Sequence, residues 1–161
     1  MGKTIIRIVI GCLIVLELLM ASCTSAATVT GSFDKAITDY SRAIELDPGN
    51  VMAYNNRVVA YSNKREYDKA IADFNKVIEL DPKNSTAYYN LGIIYSKKRE
   101  YDKAIADYSK AIELNPYFAT AYNNRGLVYY RKHEYDKAIA DYDKAIEISP
   151  DYALVYNNRG N

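Results

Sequence analysis

Asn56, Asn90, Asn124 and Asn158 stand 34 residues apart, and each primary amide offers one acceptor and two donors. Such a row can pair with the backbone of another chain whatever its side chains, which is recognition chemistry rather than bond-making chemistry. Further amides recur beside them, as Asn55-Asn56, Asn123-Asn124 and Asn157-Asn158, with Tyr89-Asn90 taking that place in the middle. Asparagine is a mediocre helix former. Its recurrence reads either as duplication of a solvated residue or as a row of amides kept for binding.

A second row is ionic. Arg57, Arg125 and Arg159 follow the same spacing, interrupted by Leu91, and Asp39, Asp73, Asp107 and Asp141 follow it too. Helical periodicity places both sets on the stripes that face other helices. A charge left unpaired there is costly, so the arginines are expected to pair with the stripe aspartates, Arg125 with Asp107 or Asp141. That role is structural, not catalytic.

Bond-making chemistry finds little support. His133 is the sole histidine, between Lys132 and Glu134, at a place that reads as a helix end. No second histidine or nearby cysteine completes a metal site with it, and no Ser-His-Asp order can be assembled around it. No HExxH, Gly-rich phosphate loop or paired-carboxylate motif occurs. Asp68, Asp102 and Asp136 read as helix-start residues near the positive end of the dipole. The expectation is a protein that is not an enzyme and carries neither metal nor cofactor.

The elements that must position these residues are set by the same period. Tyr101-Asp102-Lys103-Ala104-Ile105-Ala106-Asp107-Tyr108 returns as Tyr135 to Tyr142, and occurs upstream from Tyr67 to Phe74 and from Phe33 to Tyr40. Pro48, Pro82, Pro116 and Pro150 keep the 34-residue step, each closing one helix and opening the turn to the next. Between Pro48 and Pro82 the pattern predicts two helices, roughly Val51–Lys64 and Tyr67–Leu80. Tyr54, Arg57, Val58 and Tyr61 form a face of the first, and Ala70, Asp73, Phe74 and Val77 a face of the second. The fold class is all-α. A repeat of this length cannot bury its own apolar face and must stack on its neighbours as a solenoid.

Tyr88, Leu91, Gly92, Tyr95, Ala104, Tyr108, Ala111 and Pro116 carry a resemblance to the tetratricopeptide repeat (TPR) family, echoed by Tyr54/Tyr122, Tyr61/Tyr129, Ala70/Ala138, Phe74/Tyr142 and Pro82/Pro150. The resemblance covers Phe33 to the end and implies a right-handed superhelix of antiparallel helix pairs, the first helix of each pair lining the concave side. On that frame residues 33–50 are a half repeat, 51–84, 85–118 and 119–152 are full repeats, and 153–161 is a partial one. Asn56, Asn90, Asn124 and Asn158 become a ladder along the groove, with Asn55, Tyr89 and Asn123 beside it. Val59, Ile93 and Leu127 would form an apolar floor, and Lys97 and Arg131 would add positive charge to one side. The implied partner is a protein or extended peptide. The family's carboxylate clamp would need Lys and Asn where Asn55/Tyr89 and Val59/Ile93 stand, so it is not expected here. The open array ends suggest either self-association or the N-terminal part of a larger protein with a further, possibly enzymatic, domain.

Charge and the N-terminus bound the setting. Lys plus Arg number 21 and Asp plus Glu 20, without the basic excess of a nucleic-acid binder. Lys3 and Arg7, an apolar run from Ile8 to Leu16, and small residues from Ala21 onward have the layout of a signal peptide over residues 1–22. Met20-Ala21-Ser22-Cys23 resembles the lipobox of bacterial lipoproteins, which implies cleavage before Cys23 and lipid attachment there. Plain secretion with cleavage after Ala26 or Ala27, and an uncleaved anchor, stay open. Residues 23–32 read as a flexible tether. The expected location is the bacterial cell envelope, lipid-anchored to a membrane or free outside it. Cys12 and Cys23 are the only cysteines, so the repeats carry no disulfide, which fits an oxidising compartment.

Overall fold

The structure, a computed structural model, describes residues 31–160. Eight helices follow one another: α1 (31–46), α2 (Val51–Asn63), α3 (Tyr67–Leu80), α4 (Ser85–Lys97), α5 (Tyr101–Leu114), α6 (Ala119–Arg131), α7 (Tyr135–Ile148) and α8 (Ala153–Gly160). Among the described residues there is no strand. α2, α4 and α6 each pair with the helix that follows, α8 packs on α7, and each pair stacks on the next, giving an α-solenoid. Gly31 and Ser32, expected in the tether, are already helical. The signal segment and Cys23 lie outside the described residues. Among those described, no helix is long and apolar enough to cross a membrane.

Local chemistry sets the helix ends. Asn50 and Asn84 cap α2 and α4, their side-chain oxygens accepting from the Ala53 and Ala87 N–H at 2.9 and 3.0 Å. The turns after α2, α4 and α6 share one closing motif. Glu66, Glu100 and Glu134 N–H groups reach back to the carbonyls of Tyr61, Tyr95 and Tyr129, while Arg65, Arg99 and His133 N–H groups bond Ser62, Ser96 and Tyr130. That is the Schellman pattern, which places the intervening residue in the left-handed region. Arg65, Arg99 and His133 accordingly have φ of 59°, 62° and 63°. Glycine would be less strained, but a cation there complements the negative helix end. Because a side chain in this region costs roughly 1–2 kcal/mol, partly offset by the freedom glycine gains when unfolded, Arg65→Gly should raise stability by about 0.5–1 kcal/mol. A urea-denaturation midpoint that falls instead would mean that the Arg65 side chain contributes more than its backbone strain removes.

Small residues bring the paired helices close. Ala70, Ala104 and Ala138 are buried, and Gly92 and Gly126 lie against the rings of Tyr108 and Tyr142. A Cβ added at Gly92 would stand 2.7 Å from the Tyr108 ring, which leaves no room for one. Between units, Lys64, Lys98 and Lys132 bridge to Asp34, Asp68 and Asp102 of the preceding repeat and to Glu66, Glu100 and Glu134 of their own. Asp68 and Asp102 do lie in the first turns of α3 and α5, so they serve the dipole and the stacking together.

Candidate functional site

The even-numbered helices present the recurring amides on one side of the solenoid. Between α2 and α4 this side deepens into a groove of about 560 Å³. Asn55, Asn56, Val59, Asn90, Ile93 and Lys97, all singled out from the sequence, line it together. Val59 is 58% exposed, an isolated aliphatic surface with nothing packed over it. Ser62, Asn63, Asn84 and Thr86 also contribute to the wall and were not singled out. Their signal is faint, since serine, threonine and asparagine at helix ends are explained by capping.

Farther along, the amides bond to one another. Asn158 Nδ2 donates to Asn123 Oδ1 at 2.8 Å, Asn123 Nδ2 to Asn124 Oδ1 at 3.2 Å, and Asn124 Nδ2 to the Tyr89 hydroxyl at 3.1 Å. This chain of dipoles runs from α8 through α6 to α4. Asn123 is 1% exposed, so it joins repeats from inside and has no open surface for a ligand. Tyr89 packs on Phe118 and Tyr108, with ring centroids 4.8 and 5.9 Å away. Leu127 is half-buried on α6. Arg131 lies beside Lys97 in a second depression, its guanidinium 3.4 Å from Ser96 Oγ.

The ionic row is paired, with corrections. Arg57 forms a two-pronged pair with Asp73, Nε and Nη2 donating at 2.8 and 2.7 Å, and Arg125 repeats it on Asp141 at the same distances. The partner of Arg125 is thus Asp141 of its own unit, not Asp107. Each arginine also donates through Nη1 to a serine in the preceding unit, Ser41 or Ser109, at 2.9 Å. Tyrosines three residues before and four after flank each guanidinium, their centroids 5.6 to 6.0 Å away. The bonds to Asp73 hold the Arg57 guanidinium protonated even more firmly than usual. Arg159 departs from the expectation. It pairs with Asp143, 16 residues before it, at 2.6 Å and half in solvent. Asp39 is exposed and not on a buried stripe.

The middle unit keeps only half of this device. Leu91 replaces the arginine, and Asp107, half-buried, has no cation partner among the described residues. Desolvation pushes its carboxyl up to about 6. The fold therefore binds this proton more tightly than the unfolded chain, whose value is about 3.9. Stability must fall as pH rises through the window from about 4 to 6. Asp107→Asn should flatten that window and, after discounting for partial solvation, stabilise the protein by about 1–2 kcal/mol at pH 7. The check is melting temperature against pH for both proteins, and parallel curves would show that Asp107 is fully solvated.

His133 Nδ1 lies 2.8 Å from the Tyr135 hydroxyl. Among the described residues no three His, Cys, Asp or Glu side chains gather to hold a metal.

Comparison with known proteins agrees with this architecture. The model described as tetratricopeptide repeat matches residues 85–118 and 119–152, and a second, described as TPR repeat, matches 29–65 and 60–99. The chain belongs to the tetratricopeptide repeat family, and its fold is that of a protein–protein interaction scaffold. Among solved structures, a crystal structure of MamA is 36% identical, with a TM-score of 0.75 over 81% of this chain and 76% of MamA. A second MamA crystal structure, also 36% identical, gives 0.74 over 81% and 71%. The first TPR of Spaghetti (RPAP3), solved with the HSP90 peptide SRMEEVD, is 24% identical, with a TM-score of 0.65 over 68% of this chain and 87% of that domain, and shares the fold alone.

Proposed function

We propose that this protein is a non-enzymatic adaptor that holds an extended segment of a partner protein in the groove lined by Asn55, Asn56, Asn90 and Val59. The observation that carries this reading is the convergence of open amides and uncovered aliphatic surface in one groove. Asn56 and Asn90 are free to meet a peptide backbone, and Val59 and Ile93 to meet its apolar side chains. Asn124 and Asn158 keep unspent donors and acceptors and extend the ladder along α6 and α8. The test is calorimetric titration of a captured partner against Asn56→Ala/Asn90→Ala, because Asn124 and Asn158 also bond the buried Asn123 and their loss would disturb the stacking. Affinity should fall by about 0.5–1.5 kcal/mol per lost amide contact with the helical spectrum intact, and unchanged affinity would move the site off this face.

The same proposal places the protein at the bacterial cell envelope, exported and acylated at Cys23, on the strength of Lys3, Arg7, the apolar run and Met20-Ala21-Ser22-Cys23. Intact mass of membrane-extracted protein should show loss of residues 1–22 and gain of lipid, and a chain retaining Met1 would contradict it. Self-association is the second reading. Tyr130, Tyr135 and Ile139, exposed beside α8, line a depression of about 290 Å³ that a second copy could cover. Sedimentation at several concentrations separates the two.

A further inference from the structure

Most lysines of this chain are neutralised in place. Lys76, Lys110 and Lys144 pair with Glu79, Glu113 and Glu147 three residues on, and Lys64, Lys98 and Lys132 tie repeats together. Lys97, Arg99 and Arg131 are different. None has a carboxylate within ion-pair distance among the described residues, and the three converge on one depression of about 490 Å³ with Ser96 and Tyr101. No acidic residue lines it. The negative carboxyl ends of α4 and α6 offset these cations only in part, no carboxylate completes the neutralisation, and those helix ends would themselves repel an anion. The cations must therefore supply the attraction. Lys97 lines this depression and the amide groove alike, so an extended chain lying in one can reach the other.

We propose that Lys97, Arg99 and Arg131 form an anion subsite for a carboxylate side chain of the segment held in the groove, so that the partner is an extended acidic peptide. The inference rests on the groove reading above. A polypeptide's own anions are carboxylates, and the planar forks of Arg99 and Arg131 match them. Ser96 Oγ accepts from Arg131 and keeps its own proton to donate. The subsite lies at the carboxyl ends of α4 and α6, away from positions 55, 59, 89 and 93, where a family carboxylate clamp would sit. It is fullest at this junction: one unit earlier Asn63 stands at the place of Lys97, so the first repeat junction has only Arg65 and Lys97 as cations.

The variants are chosen to leave the fold alone. Arg99 has φ 62°, a conformation glycine adopts freely, and Lys97 and Arg131 are exposed. The full chain is panned against a random 12-residue peptide display library, and selected peptides are synthesised and measured by fluorescence anisotropy. Selected peptides should carry Asp or Glu. Exchange of that residue for its amide should weaken binding on the order of tenfold, and Lys97→Met/Arg99→Gly/Arg131→Gln should weaken it equally while abolishing the difference between acid and amide. Raising salt should erase the same preference. Asn56→Ala/Asn90→Ala should also weaken the peptides, but leave the acid preference in place. Peptides that need Asn56 and Asn90 yet are indifferent to the acid would overturn the subsite and leave the groove standing. Acidic peptides that need the cations but not the two asparagines would overturn the groove reading, and with it this proposal. A phosphoserine in place of the acid binding tenfold tighter than the acid would overturn the assignment to a carboxylate. An absence of any selected peptide would overturn both readings.

Discussion

Replacing Arg125 by leucine should destabilise the protein by about 3–5 kcal/mol, because it strands Asp141 without its cation in a buried site. Asp141 is 6% exposed and takes both of its strong donors from Arg125. Space is not the difficulty, since Leu91 occupies the equivalent position one repeat earlier and is itself buried. The double variant Arg125→Leu/Asp141→Leu should therefore recover most of the loss, as replacement of a buried pair by apolar residues is often neutral. Urea denaturation of the two variants decides it. If the single and double variants lose equal, small amounts, the pair is solvated and the ionic row has no structural weight. Some loss should persist in the double variant, since Ser109 would no longer receive its bond from Arg125.

Phe74→Ala should cost a comparable amount, about 3–5 kcal/mol, for a different reason. Phe74 is 4% exposed and lies in a cluster with Val58, Ala70, Val77, Ala87, Leu91 and Ile94, which belong to two successive repeats. Truncating it opens a cavity at the seam that joins them, directly under the groove it helps to line. The loss should be cooperative across the array, because each repeat draws its stability from its neighbours. Phe74→Tyr should cost less than Phe74→Ala without being neutral, since Tyr108 and Tyr142 hold that place opposite Gly92 and Gly126, whereas Val58 stands opposite Phe74. Thermal unfolding of the two variants checks both statements; a Phe74→Ala loss under about 1 kcal/mol would mean that the helices close over the gap.

Much of this was legible in the sequence because the chain repeats itself. A helix boundary read once from Pro82 is read again at Pro116 and Pro150, and α2 and α3 fall within a residue of the spans expected from periodicity. The existence of the Arg–Asp pairs was legible too, since buried charges need partners. The choice of partner was not. Asp107 and Asp141 lie at nearly equal sequence distance from Arg125, one before and one after, and only the angle between paired helices selects the latter. The amide row shows the same limit. The period sets Asn124 in the ladder and Asn123 beside it, and does not foretell that Asn123 is buried and bonded to Asn158 of α8 while Asn124 bonds the Tyr89 hydroxyl. Lys97 and Arg131, one 34-residue step apart, were legible as positive charge on one side of the groove, whereas Arg99 lies in a turn that no helix face announces.

A partner held in the groove must pass over Val59. A photo-reactive phenylalanine analogue placed at Val59, which is exposed and lines the groove, tests it directly when compared with the same analogue at Glu113, exposed on α5 and outside the groove. Illumination of cells carrying the full chain should join a partner to the Val59 position, with the cross-linked partner peptide readable by mass spectrometry, and leave the Glu113 position unjoined. Cross-links that form from Glu113 and not from Val59 would contradict the account.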